Sequence, residues 1–177
     1  LQEEIINSVA AGRDTLALMP TGGGKSMTFQ VPALARDGIC LVVTPLIALM
    51  KEQVARLNAM KIRSLAIHSG MFQDEIDNTI ENAIYGDYKF LYVSPERLAT
   101  RDFIGRAGRL NLNLVAIDEA HCISQWGYDF RPSYLKIASL REVIQDNVPF
   151  LALTGSATNH VITDIMDKLQ FREKNVL

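Results

Sequence analysis

Thr15-Leu-Ala-Leu-Met-Pro-Thr-Gly-Gly-Gly-Lys-Ser26 joins a short apolar run, a glycine-rich turn and the opening of a helical pattern. The run at 15–19 is apolar on both faces, which suits a strand covered by helices on both sides. The three glycines, Gly22, Gly23 and Gly24, let backbone N–H groups turn inward around phosphate oxygens. The helix N-terminus that follows adds a partial positive charge. In that geometry Lys25 reaches the β- and γ-phosphates and the Ser26 hydroxyl ligates Mg²⁺. The usual spacing, G-x-x-x-x-G-K-[ST], places Gly where this chain has Met19. A glycine-rich turn with a surface lysine is the plainer alternative. The strand before and the helix after are the context the phosphate reading requires.

The same alternation runs outward to both ends. Apolar runs at 15–19, 40–44, 64–67, 90–93, 114–118 and 150–154 read as strands. Helical patterns lie between them at 25–35, 46–58, 73–85, 133–145 and 160–169, with Pro32 expected to kink or shorten the first. Strand–helix alternation predicts an α/β three-layer sandwich, a mostly parallel sheet with helices on both faces. Ligands of such sheets sit beyond the carboxyl ends of the strands. No repeat, low-complexity segment or dividing linker appears, so residues 1–177 are read as one domain. Leu1 opens on a helix already under way, and the chain is read as a piece of a longer protein.

Composition narrows the class. The 177 residues are 48% hydrophobic and 21% charged, ordinary globular values that exclude disorder, collagen and coiled coil. The longest nearly apolar run, 39–50, is broken by Thr44 and Pro45 and is too short to span a bilayer, so no membrane association is expected. The net charge of −2 gives no global basic field, so nucleic acid would have to bind through a local patch. Two cysteines, Cys40 and Cys122, make neither a disulfide scaffold nor a four-cysteine zinc site, which favours a reducing compartment.

Leu114-Val-Ala-Ile-Asp-Glu-Ala-His121 is an apolar strand ending in two acids and a histidine. Asp118 at the strand tip would hold Mg²⁺ opposite Ser26, and Glu119 would orient and deprotonate an attacking water. Solvated acids at a strand end are the alternative. Directly afterwards Trp126, Tyr128, Phe130 and Tyr134 crowd beside Arg131. Aromatic faces stack on unpaired bases, and a guanidinium adds phosphate or cation–π contact. An aromatic cluster covering a sheet edge explains Phe130 and Tyr134 equally well.

These segments together resemble a superfamily 2 helicase. The run His121-Cys-Ile-Ser-Gln-Trp-Gly-Tyr-Asp-Phe-Arg-Pro132 resembles the aromatic-rich loop of RecQ-type DNA helicases. Leu1-Gln2-Glu3-Glu4, Pro45 to Gln53, Tyr92 to Leu98 and Thr154-Gly-Ser-Ala-Thr158 resemble that family's further motifs in order. The resemblance implies the N-terminal RecA-like P-loop lobe of an ATP-dependent 3′→5′ DNA helicase of recombination and repair. It implies ATP and Mg²⁺, with single-stranded and partially duplex DNA and a second RecA-like lobe as partners. By match, Gln2 would read adenine, and Thr21, Gly22, Gly23, Gly24, Lys25 and Ser26 would form the phosphate loop. Ser26 and Asp118 would serve the metal, with Lys25, Asp118, Glu119 and His121 catalytic. His121 and Gln125 would couple the nucleotide to the loop residues Trp126, Phe130 and Arg131. Thr154, Ser156 and Thr158 would link hydrolysis to DNA. Tyr128 stands where the family often has His, and Gly155 where Ala is common. A bacterial protein of this kind would be cytoplasmic, a eukaryotic one nuclear.

Other readings stay open at this stage. They are a non-catalytic nucleic-acid or adaptor module with a relic nucleotide site, a superfamily 2 RNA helicase, and a P-loop kinase or GTPase. The last lacks an Asn-Lys-x-Asp tetrapeptide. Lys51, Ser94, Glu96 and Arg97 could line a DNA track, and His68-Ser69-Gly70 could touch its backbone. Arg101, Arg106 and Arg109 read as a solvated basic face. Cys40 reads as core. For Cys122 beside His121, no further Cys or His is spaced to complete a metal site.

Overall fold

The computed structural model describes residues 1–20, 22 and 24–177. Six strands form one sheet: β1 (Thr15–Leu18), β2 (Ile39–Val43), β3 (Ser64–Ile67), β4 (Phe90–Val93), β5 (Leu112–Ile117) and β6 (Phe150–Thr154). Their order is β1-β6-β5-β2-β4-β3, and each neighbouring pair is parallel. The chain first steps across the sheet in one direction, from β1 to β2 to β3, and then returns through β4 and β5 to β6. Right-handed crossovers therefore put the outward helices on one face and the returning ones on the other.

The two buried clusters follow that division. On the first face α1 (Gln2–Ala10), α2 (Lys25–Leu34) and α3 (Ile47–Ala59) bury Ile5, Phe29, Met50 and Leu57 against Val42, Tyr92, Ala116 and Leu153. On the second lie α4 (Gln73–Tyr85), α5 (Pro95–Leu98), α6 (Arg101–Ala107) and α7 (Asn159–Lys168). There Ile76, Phe103, Tyr134 and Ile165 pack on Leu41, Val93, Val115 and Ala152. Alternate residues of each central strand serve opposite faces, which is why these runs are apolar throughout. Cys40 is fully buried in the first cluster, as expected of a core cysteine. Among the described residues no helix is long and apolar enough to cross a membrane.

Two expectations need correction. The segment expected as an α-helix at 133–145 is a 3-10 run, Pro132–Glu142, opened by its proline. The basic stretch is not simply a solvated face. It contains α6, N-capped by the Thr100 hydroxyl, and Arg106 is paired with Asp77 at 2.6 Å and with Asp102 at 2.5 Å. Pro32 lies inside α2, which continues two residues beyond it and ends at Leu34, one residue short of the expected bound.

A buried ion cluster ties the chain's ends to the sheet. Asp14, wholly buried before β1, accepts from Arg141 at 2.9 Å, from Arg172 at 3.0 Å and from the Phe150 backbone N–H at 2.9 Å. Burial raises the Asp14 pKa, but the Arg172 and Phe150 hydrogen bonds and Arg141 outweigh it and hold the carboxyl below its ordinary value. The stability it contributes is therefore complete above the unfolded carboxylate pKa and is lost as pH falls through the lower folded value. Asp14→Asn leaves the largely buried Arg141 guanidinium uncompensated and is expected to cost about 3 kcal/mol in urea unfolding at neutral pH. The difference from the parent protein should shrink in acid.

Candidate nucleotide site and aromatic loop

β1 and β5 are separated by β6 alone, so three carboxyl-terminal strand ends converge. The first contributes the glycine turn. Gly24 immediately precedes α2 with φ +79°, a left-handed conformation natural to glycine. Its carbonyl accepts a hydrogen bond from Gln2 Nε2 at 3.2 Å, and a Cβ there would collide with the Gln2 amide. Gln2 and Gly24 thus meet side chain to backbone at the start of α2. Thr21 and Gly23 lie outside the described residues. Met19, in the first glycine's place, is buried, and its N–H donates to the Thr154 carbonyl at 2.9 Å.

The second strand end supplies the acids. Lys25 Nζ lies 3.2 Å from Asp118 Oδ1 and 3.7 Å from Glu119 Oε1. The same Asp118 oxygen accepts the Glu119 backbone N–H at 2.9 Å. Glu119 itself sits at φ +52°, an unusual conformation for a residue with a Cβ. That kink starts the 3-10 turn Ala120–Ile123 and brings His121 back over the sheet.

His121 joins the second strand end to the third. Its Nδ1 lies 2.9 Å from Thr154 Oγ1 on β6, and its Nε2 lies 3.5 Å from Glu119 Oε2. The ring is buried, and that burial lowers its pKa against the opposing pull of the Glu119 carboxylate. The Tyr134 hydroxyl donates to the Asp118 carbonyl at 2.9 Å, so Tyr134 braces the acid-bearing turn from inside the core. Gln53 of α3 donates to Ser26 Oγ at 3.2 Å. No local pattern singled out Gln53, because its contact is made only once α2 and α3 stand side by side.

The loop after His121 is fixed at its ends and exposed at its aromatic tips. The Trp126 N–H donates to Ser124 Oγ at 3.1 Å, and the Arg131 N–H to the Cys122 carbonyl at 2.8 Å. Trp126 is 69% exposed and leans on His160 of α7, with ring centroids 4.6 Å apart. Tyr128 is 80% exposed and stacks on His121 at 4.5 Å with 20° between planes. Phe130 is half-buried, Gln125 is exposed, and Arg131 Nε lies 3.4 Å from Asp129. Trp126, Tyr128, Ser156 and Thr158 line a cavity of about 360 Å³. The Thr158 hydroxyl also caps α7 through the Val161 N–H at 3.3 Å, a structural duty the sequence reading did not assign.

Asp129 joins His121 and Cys122, their donor atoms all within 4.8 Å of one another. The third group that spacing did not supply is therefore an acid seven residues on. Burial pushes the Cys122 thiol up to about 12, and it donates to Asp129 at 3.8 Å. A thiol kept protonated is a poor metal ligand.

Two measurements check this geometry. His121 should remain neutral below its ordinary pKa of about 6.5 in an NMR titration of its ring protons. The stability tied to its neutral form is complete above that pH and is lost as pH falls through the folded value. Gly24→Ala should cost about 1–2 kcal/mol in urea unfolding, because an alanine must adopt the left-handed conformation.

The comparisons with known proteins agree with the layout. The DEAD/DEAH box helicase family model matches residues 1–165. The chain is 42% identical over 172 residues to the probable ATP-dependent DNA helicase RecS of Bacillus subtilis, covering 97% of this chain and 34% of that protein. It is 44% identical over 177 residues to the ATP-dependent DNA helicase RecQ of the same organism, covering 99% and 30%. It thus spans about a third of the length of these curated relatives. The solved structure of the DEAD-box helicase Mss116 bound to ssRNA and UDP-BeF superposes with a TM-score of 0.77 at 18% identity, covering 99% of this chain and 38% of that one. The fold is RecA-like, and the chain belongs to the DEAD/DEAH box helicase family, with RecQ-type proteins among its relatives.

Proposed function

We propose that this chain is the ATP-binding lobe of a DNA helicase that moves 3′→5′ on single-stranded DNA and opens duplexes in recombination and repair. One observation carries the reading. The Lys25–Asp118–Glu119 cluster continues without a break through His121 to Thr154 and to the exposed ring of Tyr128. A site for phosphoryl chemistry is thereby in contact with a surface suited to unpaired bases. The RecS and RecQ proteins, named as DNA helicases, support DNA as the track.

The donor set suits magnesium and a nucleotide triphosphate. Ser26 and Asp118 line one cavity with Gly22, Gly24 and Lys25, and they offer hard oxygen donors. Magnesium, when bound, would neutralise charge on the β- and γ-phosphate oxygens. Lys25 would exchange part of its carboxylate pairing for phosphate. Gln2 would hold the adenine side, where it already reaches Gly24. Glu119 would take the proton of the attacking water, and His121 would fix its second carboxylate oxygen. Thr154, held by His121, would pass the state of that carboxylate to Ser156 and Thr158. Gln125, Trp126, Phe130 and Arg131 would meet the DNA.

A second RecA-like lobe would complete the cleft with an arginine finger, a group worth about 10³–10⁵ in rate. This chain alone should therefore bind nucleotide weakly and hydrolyse it negligibly. Robust turnover stimulated by single-stranded DNA in a steady-state assay of this lobe would refute that. In the complete protein, Glu119→Gln is expected to lower DNA-stimulated kcat by about 10²–10⁴ while ATP still binds. Unchanged unwinding would favour the adaptor reading, and stronger stimulation by RNA than by DNA of the same sequence would favour an RNA helicase.

A further inference from the structure

An amide interrupts the apolar stripe of α3. Met50, Gln53, Val54 and Leu57 fall at i, i+3, i+4 and i+7, the spacing of one helix face. Met50 and Leu57 are buried in the first-face core, and Val54 packs against it. A glutamine in that row gives up water, a cost that an apolar side chain of the same length avoids. Met50 one turn before it and Leu57 one turn after it seat α3 on the sheet, so the place of residue 53 is fixed from both sides. Gln53 is half-buried there, and its Nε2 reaches across to α2 and donates to Ser26 Oγ at 3.2 Å.

The recipient of that hydrogen bond is the hydroxyl expected to serve the metal. Ser26 stands in the first turn of α2 beside Lys25, and it shares a cavity lining with Gln53, Lys25, Asp118 and Glu119. Ser26 is itself half-buried, so water can satisfy its hydroxyl and the fold does not require the amide. What the amide supplies is orientation. A serine hydroxyl chooses among staggered rotamers and carries one O–H and two acceptor lone pairs. A donor held on one lone pair selects a rotamer, leaves the second lone pair for a cation and leaves the O–H for an anionic oxygen.

We infer that Gln53 is a positioning residue for the metal site, its amide N–H holding Ser26 Oγ in the orientation in which that oxygen ligates Mg²⁺. The inference rests on the nucleotide reading above and deepens it, because it adds α3 to the elements that build the site. Groups that hydrogen-bond a metal ligand from behind typically weigh roughly 10–100-fold in metal affinity. The competing account is a plain tie between α2 and α3. Such a tie would matter to stability, and it would matter to nucleotide binding equally with and without the metal. Orientation of a metal ligand would matter only when the metal is present.

That difference is measurable. The complete protein would be titrated with N-methylanthraniloyl-ADP, once in excess Mg²⁺ and once in EDTA, and the ratio of the two Kd values reads the metal site. Gln53→Met keeps the length of the side chain and loses the donor. It should cut the ratio about tenfold, leave the Kd in EDTA within about twofold of the parent's and leave the urea midpoint no lower. In a Ser26→Ala background the ratio should already be small, and Gln53→Met should change it no further. A second readout needs neither metal nor nucleotide. The Gln53 side-chain amide signal in a ¹H–¹⁵N spectrum, assigned by its loss in Gln53→Met, should move in Ser26→Ala. The inference alone is overturned if Gln53→Met leaves the ratio unchanged, if it weakens ADP equally in Mg²⁺ and EDTA, if it lowers the urea midpoint without changing the ratio, if its effect persists in full on Ser26→Ala, or if the amide signal stays in place. A parent protein whose ADP affinity ignores Mg²⁺ overturns the inference together with the metal part of the nucleotide reading, so the two failures are distinguishable.

Discussion

The ammonium of Lys25, held between the carboxylates of Asp118 and Glu119, joins two parts of the chain 93 residues apart. Lys25 is only 18% exposed and Asp118 15%, so little water lies between them to screen the pair. Each requires the other, and removal of one partner from such a pair is more damaging than the pair is stabilising. The contact exists because the sheet order puts a single strand, β6, between β1 and β5. A different crossover sequence would leave both half-sites intact and useless. The topology is thus the first requirement of the chemistry, and the apolar strands that enforce it serve the site from a distance.

β6 does more than separate the two half-sites. Thr154 ends it and holds His121, whose other nitrogen faces Glu119. A shift of β6 relative to β5 must therefore move the imidazole, and with it the orientation of the carboxylate expected to act as base. The stacked Tyr128 makes the same imidazole sensitive to the aromatic loop. One buried ring thus receives input from a strand end and from an exposed surface. Packed elements of this kind shift between discrete arrangements rather than deform smoothly.

The strands were the most legible part of the sequence. Residues 64–67, 90–93 and 150–154 were located at the observed boundaries, because doubly covered strands are apolar without interruption. The glycine turn and the acid pair could be placed at strand ends for a related reason, and there Lys25 does meet Asp118 and Glu119. The 3-10 run Pro132–Glu142 was misread because Tyr134, Ile137, Ala138 and Leu140 fit a helical stripe about as well as a tighter turn. Short α6 was hidden by its charges, since the partners of Arg106 lie partly on α4. Gln53 against Ser26, Tyr134 against Asp118 and Asp129 against Cys122 were illegible for one reason. Each joins segments whose relative placement only the finished fold determines.

Gly155 and Tyr128 differ in what their surroundings demand. A Cβ added at Gly155 would meet only the Met19 carbonyl oxygen, at 3.6 Å, an ordinary van der Waals distance. Nothing steric demands glycine there, so an alanine would fit the same backbone. Tyr128 is different in kind, because its ring makes a specific contact. It covers His121 through a parallel stack, a geometry that any planar side chain of similar reach, histidine included, can adopt. What position 128 requires is therefore a flat ring over the buried imidazole rather than a particular polar group.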